Sequence, residues 1–287
     1  MNISLYYCLS ILLIVSCNSS SINETLFEKG ESLGVNKNEK LEEASGLVAS
    51  VLYPDHFWTH NDSGHKPQIF LISKKAKTKE VFTFANIDNR DWEDITIGAG
   101  PEPNTPYLYI GDIGDNLGRY PYKYIYRTKE PAPDQEEFIT RFDTLIVRLD
   151  DGMRDTETLM SDPVSKNLYL VSKREDNVHV YEIHYPFDSD TLIAKKVGEL
   201  PIESVNGGSI SPDGTEVLIR NYEHLYYWQK KGDESIPDLL KTPFTELPYD
   251  REPQGESIAW GRDGSGFFTL GENAKGERSK LFFYKRK

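Results

Sequence analysis

The sequence predicts an all-β protein, a β-propeller of five four-stranded blades closed by an N-terminal strand. Three observations predict this class. A five-residue pattern occurs five times, the same order of strand-like segments follows each copy, and no long stretch has helical periodicity. Repetition at intervals of about 50 residues is typical of arrays whose units bury apolar surface only against their neighbours. Four strands per unit is the pattern of a propeller blade.

The repeated pattern consists of a polar residue, any residue, then Glu, Ser or Gly, any residue, and an aliphatic residue. Its copies are residues 43–47, 91–95, 155–159, 206–210 and 254–258. The aliphatic residues that end successive copies lie 48, 64, 51 and 48 positions apart. Because residues two apart on a strand point to the same face, the polar side chains of all copies are expected to meet at the axis of a closed ring.

Each copy is followed by runs rich in Tyr, Phe, Ile, Val and Thr, which favour strands. In the first unit these runs are residues 46–50, 57–60, 68–73 and 80–84. The fifth unit has no fourth run, so we expect a strand near residues 33–40 to complete the last blade and close the ring. Six blades are possible if a divergent blade lies between residues 95 and 159 or near the N-terminus. A two-sheet sandwich or barrel is the alternative architecture.

The N-terminus has the pattern of a processing signal. Residues 5–15 form an apolar run too short to span a membrane, and the Ser16-Cys17 sequence that follows resembles the bacterial lipobox. The resemblance implies that residues 1–16 are a lipoprotein signal peptide and that Cys17 carries lipid, although no Lys or Arg precedes the run. An ordinary secretory signal is the alternative. Residues 17–30 would form a flexible tether, and residues 31–287 a single propeller domain.

Composition limits the partners. The net charge is −13, and acidic proteins repel nucleic acid and anionic lipid surfaces. We therefore expect a monomer that binds no nucleic acid and meets a membrane only through its lipid anchor. Of the two cysteines, Cys8 lies in the signal and Cys17 would be acylated, so the mature domain has no disulfide. The neutral Asn18 after the lipid site indicates the outer membrane, on its periplasmic or surface face.

The acidic residues of the repeated pattern are the first candidates for a functional site. Carboxylates crowded around an axis repel one another unless a cation or protons neutralise them. Oxygen ligands suit calcium, which takes roughly six to eight of them. The predicted metal ligands are Glu43, Asp91, Glu93, Asp155, Glu157 and Glu256, with Asn206 and Gln254 as neutral oxygen donors. The alternative is that these side chains hydrogen-bond backbone amides between blades.

A second set of candidates follows the second strand of each unit, where apolar residues give way to polar ones. In a propeller these positions lie on one rim, beside the mouth of the channel. The predicted catalytic groups, which would activate water, are His60, Asp62 and Asp112. The predicted substrate-binding groups are Lys173, Arg220 and Glu272. The alternative is a solvated rim of salt bridges, in which His60 hydrogen-bonds to an aspartate.

Four segments carry a resemblance to a known family: residues 58–64, 91–95, 109–116 and 155–157. They resemble a family of secreted bacterial β-propeller proteins, many of them lipoproteins, and the similarity covers most of residues 43–273. More distantly, the acidic pattern is similar to that of the calcium-dependent phytase-like and gluconolactonase-like propellers. The lysine-rich phosphate site of a phytase is not evident, because only Lys173 and Arg220 lie at matching positions.

Two functions are consistent with these residues. The first is a binding module of the cell envelope that takes an unidentified small molecule or envelope ligand at the channel mouth, with bound calcium. The second is a calcium-dependent hydrolase of an ester, lactone or phosphoester, in which the metal polarises the substrate. A hydrolase needs an open coordination position that faces the rim, whereas a structural ion is enclosed by protein.

Overall fold

The computed structural model describes residues 26–133, 135–274 and 276–287. The predicted signal peptide, Cys17 and most of the predicted tether lie outside the described residues. Within them the chain is all-β, as predicted, with 21 strands and one short helix. Helix α1 begins after Ser235, whose Oγ accepts a hydrogen bond from Asp238 N at 3.2 Å. No helix of the described residues is long and apolar enough to cross a bilayer.

We divide the strands into five units, each of which begins at one copy of the repeated pattern. Before the third unit they are β1 (Glu31–Val35), β2 (Ala44–Ala49), β3 (His56–Asn61), β4 (Gln68–Ser73), β5 (Thr78–Phe84), β6 (Trp92–Gly98), β7 (Tyr107–Asp112), β8 (Lys123–Lys129), β9 (Phe138–Ile139) and β10 (Asp143–Leu149). The third unit contains β11 (Thr156–Ser161), β12 (Leu168–Ser172), β13 (Val178–Ile183) and β14 (Leu192–Leu200). The fourth contains β15 (Val205–Ile210), β16 (Glu216–Asn221), β17 (Leu225–Gln229), α1 (Ile236–Leu240) and β18 (Thr245–Leu247). The fifth contains β19 (Gly255–Trp260), β20 (Gly266–Gly271) and β21 (Lys280–Lys285).

The strands form four hydrogen-bonded sheets in the described part of the chain. Each unit is an antiparallel meander in which consecutive long strands are neighbours. A parallel pairing of three residues between β10 and β14 joins the second and third meanders into one eight-stranded sheet. Strand β9 extends the first meander by pairing in parallel with β5.

The predicted N-terminal strand pairs with the last unit. Strand β1 runs antiparallel to β21 and gives the order β1-β21-β20-β19. It covers Glu31–Val35 rather than residues 33–40, because Asn36 starts a turn. The Asn36 side chain donates to Leu41 O at 2.6 Å and accepts from Asn38 N at 3.0 Å, and such local bonds compete with a strand. Upstream, Phe27 is buried and bridges Arg286, so the chain meets the domain within the predicted tether.

The first strand of each unit contacts the first strands of the units before and after it, and β6 also contacts β15. Strand β2 contacts β6, β6 contacts β11, β11 contacts β15, β15 contacts β19, and β19 contacts β2. These contacts form a closed cycle, and we call its members the central strands. All five start at the same end of this cycle, because residues at the C-terminal ends of all five line one cavity.

Apolar surface is buried between successive units rather than within one centre. Strand β12 shows how alternation produces this: Leu168 and Leu170 pack toward the second unit, and Tyr169 and Val171 pack toward the fourth. The fifth unit packs back on the first, where the ring centroids of Phe57 and Phe268 lie 4.5 Å apart. Every unit therefore has a buried face on both sides, as stacked repeats require.

Candidate functional site

Four central strands carry a β-bulge close to their start. In each, the pairing with the second strand of the unit skips one residue that has a side-chain oxygen: Glu93, Glu157, Asn206 and Glu256. A bulge re-aims the side chain that it carries, so one local irregularity positions all four. In the repeated sequence pattern, Asn206 stands at the same position as Asp91. This equivalence is wrong by two positions, because Asn206 occupies the place of Glu93 at the bulge.

The remaining central strand, β2, has its irregularity between Ser45 and Leu47. Gly46 lies there with a φ of +69°, and a Cβ on it would be 2.7 Å from Ile95 N. No side chain fits at this position without displacing the backbone of β6. The first unit instead contributes an acid from the end of its second strand, Asp62.

Seven carboxylates meet at the start of the central strands. They form three groups, in each of which one oxygen per residue lies within 4.8 Å of the others. The groups are Asp62 with Asp91 and Glu93, Asp62 with Glu256 and Glu272, and Glu93 with Asp155 and Glu157. Because Asp62 and Glu93 each belong to two groups, the seven form one continuous set, which we call the acidic cluster. The predicted convergence of Glu93, Glu157 and Glu256 is therefore present.

Glu43 borders this set without belonging to it. Its side chain is 45 % exposed, and Oε2 lies 3.4 Å from His65 Nδ1. Its charge raises the pKa values of Asp62 and Glu272, after the larger effect of burial on each. Glu43 therefore contributes to the negative potential of the acidic cluster from its solvent side.

The inner part of the acidic cluster is enclosed by protein. Glu93, Asp155 and Glu157 are 3–4 % exposed. Among the described residues, no backbone N–H, hydroxyl, Lys or Arg donates a hydrogen bond to the Glu93 carboxylate, whose near neighbours are other carboxylates. A buried polar group without a donor is costly. Glu93 thus has the environment of a group that requires a proton or a cation.

The other two inner acids have counter-charges. Asp155 accepts hydrogen bonds from Asp115 N at 2.8 Å and from Arg174 Nε at 2.6 Å. Glu157 forms an ion pair with Lys173, whose Nζ lies 2.9 Å from Glu157 Oε2. These cations offset part of the negative charge, and the acidic cluster as a whole remains anionic.

The outer part of the acidic cluster reaches solvent. Asp62 and Glu272 are half-buried, whereas Glu256 is buried and accepts a hydrogen bond from the Tyr222 hydroxyl at 2.7 Å. Asp62 also accepts a hydrogen bond from Ser63 N. An ion held by Asp62, Glu256 and Glu272 would keep positions open to water.

Burial and crowding raise the pKa values of five members of the acidic cluster: Asp62, Asp91, Glu93, Glu157 and Glu272. Burial, followed by the charge of Glu256, raises the pKa of Glu272 to about 9. Burial raises the pKa of Glu157 to about 7 even though Lys173 opposes it. Burial raises the pKa of Asp62 to about 6, and burial with the charge of Glu157 raises that of Glu93 well above its usual range. Without a cation, the acidic cluster therefore retains protons at neutral pH.

Gly114 packs directly against the acidic cluster. A Cβ on it would lie 2.1 Å from Glu93 Oε1 and 2.5 Å from Asp91 Cγ. Only glycine fits there, because a larger side chain would displace the carboxylates of Glu93 and Asp91.

Sequence reasoning missed Asp94, which follows the bulged Glu93. It is fully buried, and its carboxylate accepts hydrogen bonds from Ile95 N at 2.8 Å and Leu159 N at 2.9 Å, and from the backbone of Gly208. These donors belong to β6, β11 and β15, so Asp94 joins three central strands. The alternating pattern drew attention to positions 91 and 93, and the acid between them gave no separate signal.

His60 and Asp112 are placed away from solvent. His60 is 0 % exposed, its Nδ1 lies 3.0 Å from Asn61 O, and its ring packs edge-on against Trp92. Burial lowers the pKa of His60 to about 4, so the imidazole is neutral. Asp112 is 1 % exposed and accepts hydrogen bonds from Arg90 Nε at 3.0 Å and the Tyr126 hydroxyl at 3.3 Å. Neither belongs to the acidic cluster.

The two predicted substrate-binding cations differ. Lys173 lies beside Glu157 at the acidic cluster, and its ammonium lies 5.5 Å from the centre of the Tyr222 ring. Arg220 is 0 % exposed and is held by Glu252 at 3.2 Å and by Ser257 O at 3.0 Å. Arg220 therefore lies inside the protein, where its guanidinium connects the fourth and fifth units.

No protein-family model matches the chain, and a search of curated proteins finds no similar sequence. The chemistry of the candidate site therefore rests on its own geometry: clustered carboxylate oxygens, the neutral amide of Asn206 at the equivalent bulge, and Lys173 beside Glu157.

Proposed function

We propose that this chain is a five-bladed β-propeller whose axial acidic cluster binds a divalent cation. The propeller is supported by the closed cycle of contacts among the central strands and by apolar cores between every pair of successive units, the last and the first included. The pairing of β1 with β21 supports closure by the N-terminal strand.

Glu93 carries the proposal of a cation. Its carboxyl group is 4 % exposed, receives no hydrogen bond from an N–H group or a hydroxyl of the described residues, and is hydrogen-bonded to another acid, Glu157. It also belongs to two of the three carboxylate groups. A second observation supports it: Oδ1 of Asn206, at the equivalent bulge, is buried and has no hydrogen-bond partner in the described part of the chain. Carboxylate and amide oxygens without nitrogen or sulfur ligands favour calcium, or magnesium if the site retains water.

The wider role that we propose is a binding module of the bacterial cell envelope. The lipobox-like Ser16-Cys17 supports attachment to the outer membrane through lipid. The half-buried outer carboxylates support a ligand that binds at the mouth, beside the metal. Like the lipoprotein propellers that its motifs resemble, the chain would act as a monomer that presents this mouth to an envelope ligand.

Calorimetry tests the metal site. Protein stripped with chelator and dialysed is titrated with CaCl₂ and, separately, with MgCl₂. We expect saturable calcium binding that Glu93→Gln weakens by at least about tenfold, which corresponds to ~1.4 kcal/mol. Glu137→Gln, a change at an exposed acid, is the matched control and should bind as the parent does. No heat from either ion, with no change in melting temperature, would rule out the metal.

Hydrolysis is the second candidate, and the exposure of the outer group favours it. An ion held by Asp62, Glu256 and Glu272 would keep coordination positions for water and a substrate oxygen. The test is a panel of chromogenic esters, lactones and phosphates, each with calcium and with chelator. Turnover that requires calcium and is lost in Glu272→Gln would establish an enzyme. Calcium binding without turnover of any substrate would exclude hydrolysis of these substrate classes and favour the binding module.

A further inference from the structure

A cavity lies at the other end of the central strands, away from the acidic cluster. Its volume is about 500 Å³, within the range of small-molecule sites. Residues at the ends of all five central strands line it, such as Ala49 of β2, Gly98 of β6, Ser161 of β11, Ile210 of β15 and Trp260 of β19. The acidic side chains belong to the starts of the same strands, so the two sites occupy opposite ends.

The charged groups of this cavity are mainly cationic. Arg262 and Lys166 line it, and neither forms a salt bridge or a hydrogen bond through its side chain with the described residues. The Lys166 ammonium lies 5.3 Å from the centre of the Tyr185 ring. Glu102 is the one acidic residue of the lining, and it is paired with Lys129 at 2.6 Å. In a chain with a net charge of −13, this local excess of positive charge is unusual.

Among the described residues, Arg262 also has no carboxylate that is available for an ion pair. Glu130 is the acid whose charge acts on it, and that side chain is already occupied. It accepts hydrogen bonds from the Trp58 indole at 2.8 Å, Leu52 N at 3.1 Å and Val51 N at 3.2 Å. The guanidinium fork of Arg262 is therefore free to bind an external anion in a bidentate manner.

The rest of the lining suits an apolar or aromatic body. Trp260 and Tyr185 contribute aromatic surface, and Ile97, Ile210 and several prolines contribute aliphatic surface. The Trp260 indole already donates to Ser209 O at 3.2 Å, so its ring is held in place before a ligand arrives. Pre-formed apolar walls with few polar groups are typical of small-molecule sites.

We propose that this cavity binds a small organic anion, with its carboxylate on Arg262 and Lys166 and its apolar or aromatic body against Trp260 and Tyr185. The inference is independent of the proposed metal site, because it uses different residues at the other end of the molecule. Cations are disfavoured by the two positive side chains. Neutral analogues would lose the charge-assisted hydrogen bonds, which contribute roughly twice as much as neutral ones.

The probe is 2-naphthoate, with neutral 2-naphthamide as its matched analogue. Calorimetry and ligand-observed NMR measure binding to the full domain in the presence of chelator. For a ligand of this size we expect a Kd of about 1 mM or tighter, with 2-naphthamide at least about tenfold weaker. The indole N–H resonance of Trp260, assigned with Trp260→Phe, should shift on binding and locate the site.

Variants then test the two cations. Arg262→Gln should weaken 2-naphthoate by at least about tenfold, and Lys166→Gln by a smaller factor, because a guanidinium binds carboxylate through two hydrogen bonds. Arg148→Gln and Lys195→Gln, at exposed positions on β10 and β14, are the matched controls and should leave Kd unchanged. Equal affinity for acid and amide, or affinity that survives Arg262→Gln, would overturn the proposal. Binding that requires calcium would move the anion to the acidic cluster and would also overturn it.

Discussion

The Asp94 carboxylate of β6 accepts a hydrogen bond from Leu159 N of β11 at 2.9 Å. Together with its bonds to Ile95 N and to the backbone of Gly208, this contact fixes the spacing of three central strands. Side chains that satisfy buried backbone donors across separate strands act as structural connectors. The acidic cluster depends on that spacing, because its members come from different units.

Removing this connector should destabilise the protein. Asp94→Ala leaves buried N–H groups without an acceptor, and each such group costs about 1–3 kcal/mol. We expect the free energy of unfolding to fall by roughly 3 kcal/mol or more in a denaturant titration. Asp94→Asn retains one acceptor oxygen and should lose less. Asp88→Asn, at an exposed position, serves as the control, and equal stability of Asp94→Ala and the parent would contradict the assigned role.

Glu93→Gln should change stability in opposite directions with and without metal. Burial and the charge of Glu157 raise the pKa of Glu93 well above its usual range, so the metal-free parent must bind a proton there on folding, whereas glutamine needs none. The metal-free protein should therefore melt a few degrees higher, for a gain on the order of 1 kcal/mol, while calcium should stabilise it less than it stabilises the parent. Thermal melts with chelator and with calcium measure both effects. If Glu93 instead held backbone amides between units, the metal-free variant would melt lower.

The metal-free protein should lose stability as pH rises. Folding raises the pKa values of Asp62, Glu157 and Glu272 to about 6, 7 and 9, above ordinary values near 4. Between about pH 4 and 9 the folded state thus binds more protons than the unfolded state, and stability falls with rising pH. We expect a lower melting temperature at pH 8 than at pH 5.5 in chelator.

Calcium should reverse that dependence. Metal ligands bind as carboxylates, so the stabilisation by calcium should be greater at pH 8 than at pH 5.5. Glu272→Gln removes the group with the highest pKa of the three and should flatten the metal-free profile above pH 7. A metal-free melting temperature that is constant or rises between pH 5.5 and 8 would contradict the crowding of these acids.

The buried pair of Arg220 and Glu252 should behave as a unit. Their side chains are 0 % and 3 % exposed, with Nη1 and Oε2 3.2 Å apart. Arg220→Met leaves a buried carboxylate and should cost about 3–5 kcal/mol, whereas adding Glu252→Gln should restore part of that loss. A double-mutant cycle by denaturant unfolding measures the coupling. Additive losses would show that the two residues act independently.

Much of the fold follows from local patterns. The runs that predicted strands 57–60 and 68–73 are strands β3 and β4, His56–Asn61 and Gln68–Ser73, because alternating apolar residues pack toward two neighbouring units. The end of β1 was not predicted, since it depends on side-chain hydrogen bonds of Asn36. Such short-range bonds do not change the hydrophobic pattern.

The candidate site was predicted in part. The acids at 93, 157 and 256 were selected because they recur, and they meet. The exposure of these residues was not predictable. His60 and Arg220 lie near the ends of apolar strands, as Asp62 and Lys173 do, yet His60 and Arg220 are fully buried. The position of Asn206 could not be predicted either. A bulge adds one residue to the strand and so changes which side chains point to the same face, and the composition of the sequence does not reveal it.

A crystal structure of the domain grown with CaCl₂, with anomalous differences collected to identify the ion, would show directly whether the acidic cluster binds calcium. We expect a calcium ion whose oxygen ligands, at about 2.3–2.6 Å, include the carboxylate of Glu93. An acidic cluster that holds only water under these conditions, or that places the Glu93, Glu157 and Glu256 carboxylates apart, would contradict it.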